Sequence, residues 1–397
     1  MSKNKTFKVK RSKGRLYKKR KSTGRKVLEI VLMVLAVGIL GVVGYSAAGP
    51  LISYFQGEGD GSTTTPWEPP ESSTPEESET TTSDSESANT TTPPLSDGSG
   101  AYVLNEAALT NQNALIGALN TAEKSGCSVI IVTVKDKEGH LLYKSQLDDV
   151  KNTDLVTGSM SAVQIISVIK SRGFTDIKAL VPTLYDSTTS VYVDDMCYRF
   201  AGDGYNWLDG SPENGGKRWA DPFRKGTRDY YSRLARELTG AGFNEVLLSE
   251  LRFPDFIPYD QTILDARNFS NTRYTALSGL YTTVSSATGK KSAVAVNIAD
   301  VLAGYGKSYG STAEILSDKS FTGTVYLMID LTSIGNTLAT GENSQISLPA
   351  DPVQKVHTLV SRAASYIGTN VTVVPVIEAK GLSAEALGRC YDALKAE

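Results

Sequence analysis

Two histidines in 397 residues narrow the chemistry open to this chain before any fold is considered. His140 stands in the polar turn Lys135-Asp136-Lys137-Glu138-Gly139-His140, and His357 lies in a helical pattern. Ser-His-Asp catalysis and multi-histidine metal sites both need an imidazole converging on other groups, and neither histidine has that context. Gly215-Gly216-Lys217-Arg218 is not a phosphate-binding loop, because Arg stands where Ser or Thr is needed and no strand feeds it. Carboxylates and aromatics remain. Asp136, Asp186, Glu250, Asp300, Asp330 and Glu378 each fall where an apolar run ends. Glycoside hydrolysis needs only such groups: two carboxyls, ~5–5.5 Å apart in retaining enzymes and ~6.5–9.5 Å in inverting ones, with aromatic walls for the sugar. Acids at strand–helix junctions are also common helix caps and turn formers, so each residue has a second, purely structural reading. No metal and no cofactor is expected.

The elements that would position these acids alternate. β-Branched or apolar runs at Ala101–Leu104, Ser128–Val134, Ile177–Tyr185, Asn244–Leu251, Ser292–Ala299, Phe321–Ile329 and Asn370–Ile377 read as seven buried strands. A small strand is expected around Leu141–Tyr143, and an eighth in Thr332–Ser347. Helical periodicity fills the gaps at Gln112–Lys124, Ser161–Ser171, Gly226–Thr239, Thr272–Ala287, Ser311–Leu316, Pro352–Ile367 and Ser383–Lys395. Strands separated by single helices mean βαβ units and a parallel sheet. The fold class expected for 100–397 is therefore α/β, a (β/α)8 TIM-type barrel that is either complete or short of a strand. An open doubly wound sheet competes, but it would usually show a glycine-rich first turn. In barrel enzymes chemistry sits at the carboxyl ends of the strands, where these acids fall.

Ahead of that body the charge is asymmetric. Residues 1–26 hold thirteen Lys or Arg and no acid, so a total of −2 leaves −15 for the rest. The run Val27–Ala48 is long enough to cross a bilayer as a helix, which takes ~20 residues. A basic arm beside such a run stays cytoplasmic and puts the acidic body outside, as a single-pass signal anchor in the cell membrane. The alternative is a cleaved signal peptide ending at Ser46-Ala47-Ala48, though the arm and the apolar core are both long for one. The arm points to anionic lipid headgroups rather than nucleic acid. Residues 49–99 read as a disordered stalk rich in Ser, Thr, Pro and acids. Three cysteines, Cys127, Cys197 and Cys390, show no C-x-x-C spacing, and the sequence does not assign a disulfide among them.

Several motifs then carry a resemblance. Val134-Lys135-Asp136 with Gly139, Asp186, Trp207-Leu208-Asp209, Trp219-Ala220-Asp221-Pro222, Ala235-Arg236-Glu237, Gly242-Phe243-Asn244-Glu245-Val246 and Arg252-Phe253-Pro254 occur in this order. Together they resemble a glycoside hydrolase family of (β/α)8 barrels related to the α-amylase-like glycosidases, whose last motif reads D-Y-[IV]-R-F-P. The resemblance implies a barrel acting on or binding glycan. It also shows departures: Thr133 and Ser249 stand where the family has strand-end aspartates, Leu180 where it has an arginine, and Glu250 where it has a tyrosine.

Two functions follow. In the first, Glu250 takes over the lost aspartate's role, with Glu378 or Asp300 as its catalytic partner. Arg252, Asp136, Asp186, Trp207 and Trp219 would bind substrate. In the second, the barrel is catalytically inactive and binds polysaccharide or protein partners of the envelope. Strand geometry bears on the choice. Side chains alternate, so Ser249 and Glu250 cannot both face the barrel mouth unless a kink precedes Pro254. With a regular strand, binding without hydrolysis is the expectation. A barrel serving only as a tethered structural module of the envelope is a third reading.

Overall fold

The computed structural model describes residues 100–395 apart from 203, 271–272, 305–313, 319, 342–343 and 379–381. The basic arm, the apolar run and the stalk lie outside the described residues. Among the described residues no helix is long and apolar enough to cross a membrane.

The chain runs β1 (Ala101–Leu104), α1 (Glu106–Leu109), α2 (Gln112–Lys124), β2 (Val129–Thr133), α3 (Ala162–Ser171), β3 (Asp176–Pro182), α4 (Lys225–Ala241) and β4 (Glu245–Ser249). It continues with α5 (Asp260–Ile263), α6 (Tyr274–Ala287), β5 (Ser292–Asn297), α7 (Ile298–Gly304), α8 (Glu314–Ser317) and β6 (Gly323–Ile329). Last come β7 (Thr337–Thr340), β8 (Ser344–Ser347), α9 (Pro352–Ala364), β9 (Val371–Ile377) and α10 (Ala384–Lys395).

Seven strands form one parallel sheet in the order β1-β2-β3-β4-β5-β6-β9. That order never reverses. Crossovers between parallel strands are right-handed, so an unreversed order winds the helices onto one face and leaves the other face to itself. A doubly wound sheet reverses its order midway and is thereby excluded. Burial agrees. Ile130, Val132, Ala179, Val181, Val246, Leu248 and Val294 join the large core beneath the helices. Their alternates Val129, Ile131, Leu247, Ala293, Ala295 and Tyr326 form a second core made of strand residues alone. This is a TIM-type α/β fold built on seven strands.

The expected eighth strand is not in the sheet. Thr332–Ser347 instead supplies the antiparallel pair β7–β8, turning near Gly341 at φ 65°. The sequence of the two strands explains this: within β7 and β8 only Leu338 and Ile346 are large and apolar, which suits a half-solvated hairpin and not a strand buried on both faces. Among the described residues no ladder joins β9 to β1. Leu141–Tyr143 likewise makes only single bridges, Leu141 to Lys135 and to Val156.

Local sequence sets the helices that matter for the rim. Ser161 caps α3, and Gln164 returns a bond to the Ser161 N–H, a reciprocal capping box. In α4, Tyr230, Leu234 and Leu238 form a buried stripe, and Gly242 ends the helix at φ 112°. Glu237 on the same helix accepts from Tyr143 Oη at 2.6 Å and Ser145 Oγ at 2.8 Å, tying the segment after β2 to α4. At the amino end of the sheet, inside its curl, Lys178 Nζ lies 3.1 Å from Glu245 Oε2. The same carboxylate accepts from Tyr326 Oη at 2.8 Å. Partial burial opposes the Lys178 charge, but Tyr326 and Glu245 outweigh it and hold the ammonium well above its ordinary range. Groups at that end of a barrel read as stabilising rather than catalytic.

Candidate active site

The carboxyl ends of β2, β3, β4 and β5 build one acidic and basic rim. Past β2 the chain makes a tight turn held by Asp136, whose Oδ1 accepts from the N–H groups of Gly139 at 2.7 Å and His140 at 2.8 Å. Its Oδ2 lies 2.8 Å from His140 Nδ1. Asp136 is thus occupied as the clamp of its own turn.

The two lysines flanking Asp136 point opposite ways. Lys135 is fully buried, with Nζ 2.9 Å from Asp186 Oδ2 and 2.9 Å from the Pro182 carbonyl. Asp186, also fully buried, accepts from Thr189 N–H at 2.9 Å and Tyr231 Oη at 3.0 Å. Asp186 therefore offers no surface to a substrate, and the binding role expected for it is replaced by a structural one. Gly139 sits against this pair. A Cβ there would lie 2.2 Å from Asp186 Oδ1, and its φ of 113° already favours glycine. Lys137, by contrast, is 70% exposed and reaches Glu250 Oε1 at 3.1 Å.

Glu250 is where the rim departs from a regular strand. β4 ends at Ser249, and Glu250 takes a φ of 50°, the left-handed region that side chains rarely occupy. Ladder bonds from the continuation of β3 persist through the kink, with Thr183 N–H donating to the Ser249 carbonyl at 2.8 Å and Leu184 N–H to that of Glu250 at 3.1 Å. The carboxylate meets Lys137 through one oxygen and Arg252 Nε, at 2.9 Å, through the other. Partial burial raises its pKa, but Arg252 and Lys137 outweigh that and hold it below the ordinary carboxylate value. Arg252 is itself braced, its guanidinium 4.7 Å from the Trp219 ring centre.

Asp300 was expected at a strand end. It lies instead in the first turn of α7, because Asn297 ends β5 by accepting the Ala299 N–H on its side chain at 2.8 Å. Its carboxyl is pushed above its ordinary value, first by partial loss of solvation, then by the charges of Glu250 and Asp255, against Arg252 and Lys137. Glu250 and Asp300 are thus within electrostatic reach of one another and are displaced in opposite directions. Glu378 is exposed just past β9, three strands from β4, with its N–H bonded to the Ile329 carbonyl at 2.9 Å.

The tryptophans face inward. Trp207 is 3% exposed and donates to Asp260 Oδ1 at 2.9 Å; Trp219 is 4% exposed and donates to Asp209 Oδ2 at 2.8 Å. Both serve as loop core, and Trp219 also as the floor under Arg252, so neither presents a sugar platform. Exposed aromatics in the segments after β3 and β4 include Tyr192, Tyr205 and Tyr259. Sequence reasoning missed Lys137, Asp255 and Tyr259. For Lys137 a signal existed: it follows Asp136 in a tight turn after a buried strand, so it must project from the rim. Among the described residues no group of three or more His, Cys, Asp or Glu side chains is placed to hold a metal. The three cysteines are free thiols, Cys197 and Cys390 buried.

A seven-stranded TIM-type sheet with carboxylates on its rim fits a glycosidase-like barrel. The chain belongs to the family described as "Putative glycosyl hydrolase domain", which its residues 100–315 match. No curated protein matches the sequence. Among solved structures, an α-galactosidase from Thermus thermophilus in complex with stachyose is 12% identical with a TM-score of 0.42, covering 77% of this chain and 65% of its own. The catalytic domain of a β-amylase from Paenibacillus polymyxa is 11% identical with a TM-score of 0.40, covering 76% of this chain and 99% of its own. A hypothetical protein from Ruminiclostridium thermocellum is 16% identical with a TM-score of 0.39, covering 46% of this chain and 90% of its own. These likenesses are remote, and the assignment rests on the family match.

Proposed function

We propose that this protein is a membrane-anchored glycoside hydrolase whose barrel stands outside the cell and cleaves glycan of the envelope. One observation carries the catalytic part: the left-handed turn at Glu250 brings its carboxylate onto the rim between Lys137 and Arg252, in electrostatic reach of Asp300. Glu250, kept ionised by two cations, acts as nucleophile or as the base that activates water. Asp300 delivers a proton to the departing glycosidic oxygen. The basic arm, the apolar run Val27–Ala48 and the stalk support the placement outside the cell. The Gly- and Pro-punctuated, acid-rich stalk would set the barrel at a distance from the lipid.

A second reading has its own support. Ser249 stands where the resembling family has an aspartate, and both oxygens of Glu250 are already paired. A barrel that binds envelope glycan or an envelope protein without cleaving it fits those facts. The deciding experiment measures reducing-end release from purified envelope polysaccharide by the full-length protein. Turnover abolished in both Glu250→Gln and Asp300→Asn, with glycan binding retained, is the expected result. Wild-type protein that binds the polysaccharide yet releases nothing overturns the hydrolase in favour of the binding module.

A further inference from the structure

Beside the rim lies an open cleft of about 610 Å³, lined by Phe200, Ala201 and residues 207–211 and by residues of the segment 255–263 that follows Pro254. That volume is within the roughly 300–1,000 Å³ of small-ligand clefts. We infer that this cleft is a subsite for further units of an extended, uncharged glycan whose reacting bond lies at Glu250 and Asp300; the inference rests on the function proposed above and adds the substrate's length and charge.

Three observations lead there. The cleft adjoins the rim: Asp209, which lines it, accepts from Trp219, and the Trp219 ring carries the Arg252 guanidinium that pairs with Glu250. Its outer wall is exposed and apolar: Ile257 is 58% exposed and Tyr259 64%, a ring and an aliphatic surface with the shape to cover the apolar face of a pyranose. Its charge is one-sided. Asp209, Asp255 and Asp260 line it, and no Lys, Arg or His does. Two of these acids are committed, Asp209 to Trp219 and Asp260 to Trp207, so they stiffen the wall. Asp255 is exposed and hydrogen-bonded to no described side chain, an acceptor for sugar hydroxyls. A cleft of this sign repels phosphate- or carboxylate-bearing polymers.

Calorimetric titration of the full-length Glu250→Gln protein tests this, since turnover then cannot consume the probe. The probes are dimers and hexamers of β-1,4-linked glucose, β-1,4-linked N-acetylglucosamine and α-1,4-linked glucose, with a galacturonic acid hexamer as the charged counterpart. At least one neutral hexamer should bind about tenfold or more tighter than its dimer. Adding Tyr259→Ala or Asp255→Asn should erase that gain without weakening the dimer, and Tyr259→Phe should restore it. The galacturonate hexamer should bind at least tenfold more weakly. A neutral hexamer that binds no better than its dimer, or a gain that survives both substitutions, overturns the subsite and leaves the hydrolase standing. Equal or tighter binding of galacturonate overturns the assigned charge. No binding by any neutral hexamer overturns the subsite and the glycan reading together.

Discussion

Glu250 holds a backbone conformation that costs a side-chain-bearing residue on the order of 1–3 kcal/mol, and glycine would hold it freely. Its ion pairs to Lys137 and Arg252 offset part of that cost. A residue kept where glycine fits better is explained by its carboxylate. Glu250→Gly is therefore expected to unfold within about 1 kcal/mol of the wild type while losing hydrolysis. Chemical denaturation beside a glycan-cleavage assay checks both, and a loss above about 3 kcal/mol would make Glu250 a structural residue. Arg252→Ala removes the bond to Glu250 and the stacking on Trp219, at roughly 1–3 kcal/mol. A Tm indistinguishable from wild type would relegate Arg252 to solvent.

Asp221 supplies a pH signature at the same scale. Burial raises its pKa to about 6, against the Phe223 N–H and Arg224, which pull it down. Its proton is then held more tightly in the folded state than in the unfolded one, so its contribution to stability falls as pH rises from about 4 to about 6. Across that window the difference amounts to roughly 3 kcal/mol. Asp221→Asn should lack this slope. Urea unfolding of both proteins at several pH values measures it, and parallel curves would contradict the burial of an ionisable Asp221.

Among the elements, the loops after β2 and β3 are joined by the Lys135–Asp186 pair, which has no solvent access. Removing one partner leaves the other charge buried and alone, at about 3–5 kcal/mol. Lys135→Met should cost that much, and Lys135→Met with Asp186→Leu should recover most of it. A double variant no more stable than the single would show that the pair's hydrogen bonds to Pro182, Thr189 and Tyr231 outweigh its charge. This pair also marks where sequence reading stops. The strands were legible because runs such as Val129-Ile130-Ile131-Val132 have no other stable use, and the helices because spacings such as Tyr230, Leu234 and Leu238 set one buried stripe. That acids gather on one rim was legible too. Which of them stay available was not, because Asp136, Asp186 and Asp300 look alike in sequence. One clamps its own turn, one answers a lysine 51 positions earlier, and one is carried onto a helix by a side-chain bond from Asn297. The tryptophans failed for the same reason: partners at Asp260 and Asp209 turn them inward, and those pairings are not local.

For the whole molecule, the separation of charge between residues 1–26 and the rest bears on orientation. If Val27–Ala48 spans a bilayer as proposed above, the thirteen cations before it are expected to stay in the cytoplasm. Protease added to intact cells should release a fragment that begins within 49–99 and carries the barrel. Complete protection, under conditions where a known surface protein is cut, would reverse the topology. If 49–99 is the stalk proposed above, 100–397 should unfold as one cooperative unit once freed, as a domain with its own core does.

The unjoined edges of the sheet bear on how its mechanical compliance is distributed. β4 is the fourth of seven strands and β5 the fifth, so the ends that carry Glu250 and lead to Asp300 are clamped by ladders on both sides. β1 and β9 have a ladder on one side each among the described residues, and Glu378 follows β9. If the curl of the sheet fluctuates, the displacement accumulates outward from the middle and is largest at the seam. The barrel then has a stiff centre and a soft margin, with the opposed carboxyls at the stiff centre and Glu378 at the margin. Amide hydrogen exchange should rank the strands accordingly, slowest in β4 and β5 and fastest in β1 and β9. Equal protection across all seven would mean that the seam is closed in solution by something beyond the described residues.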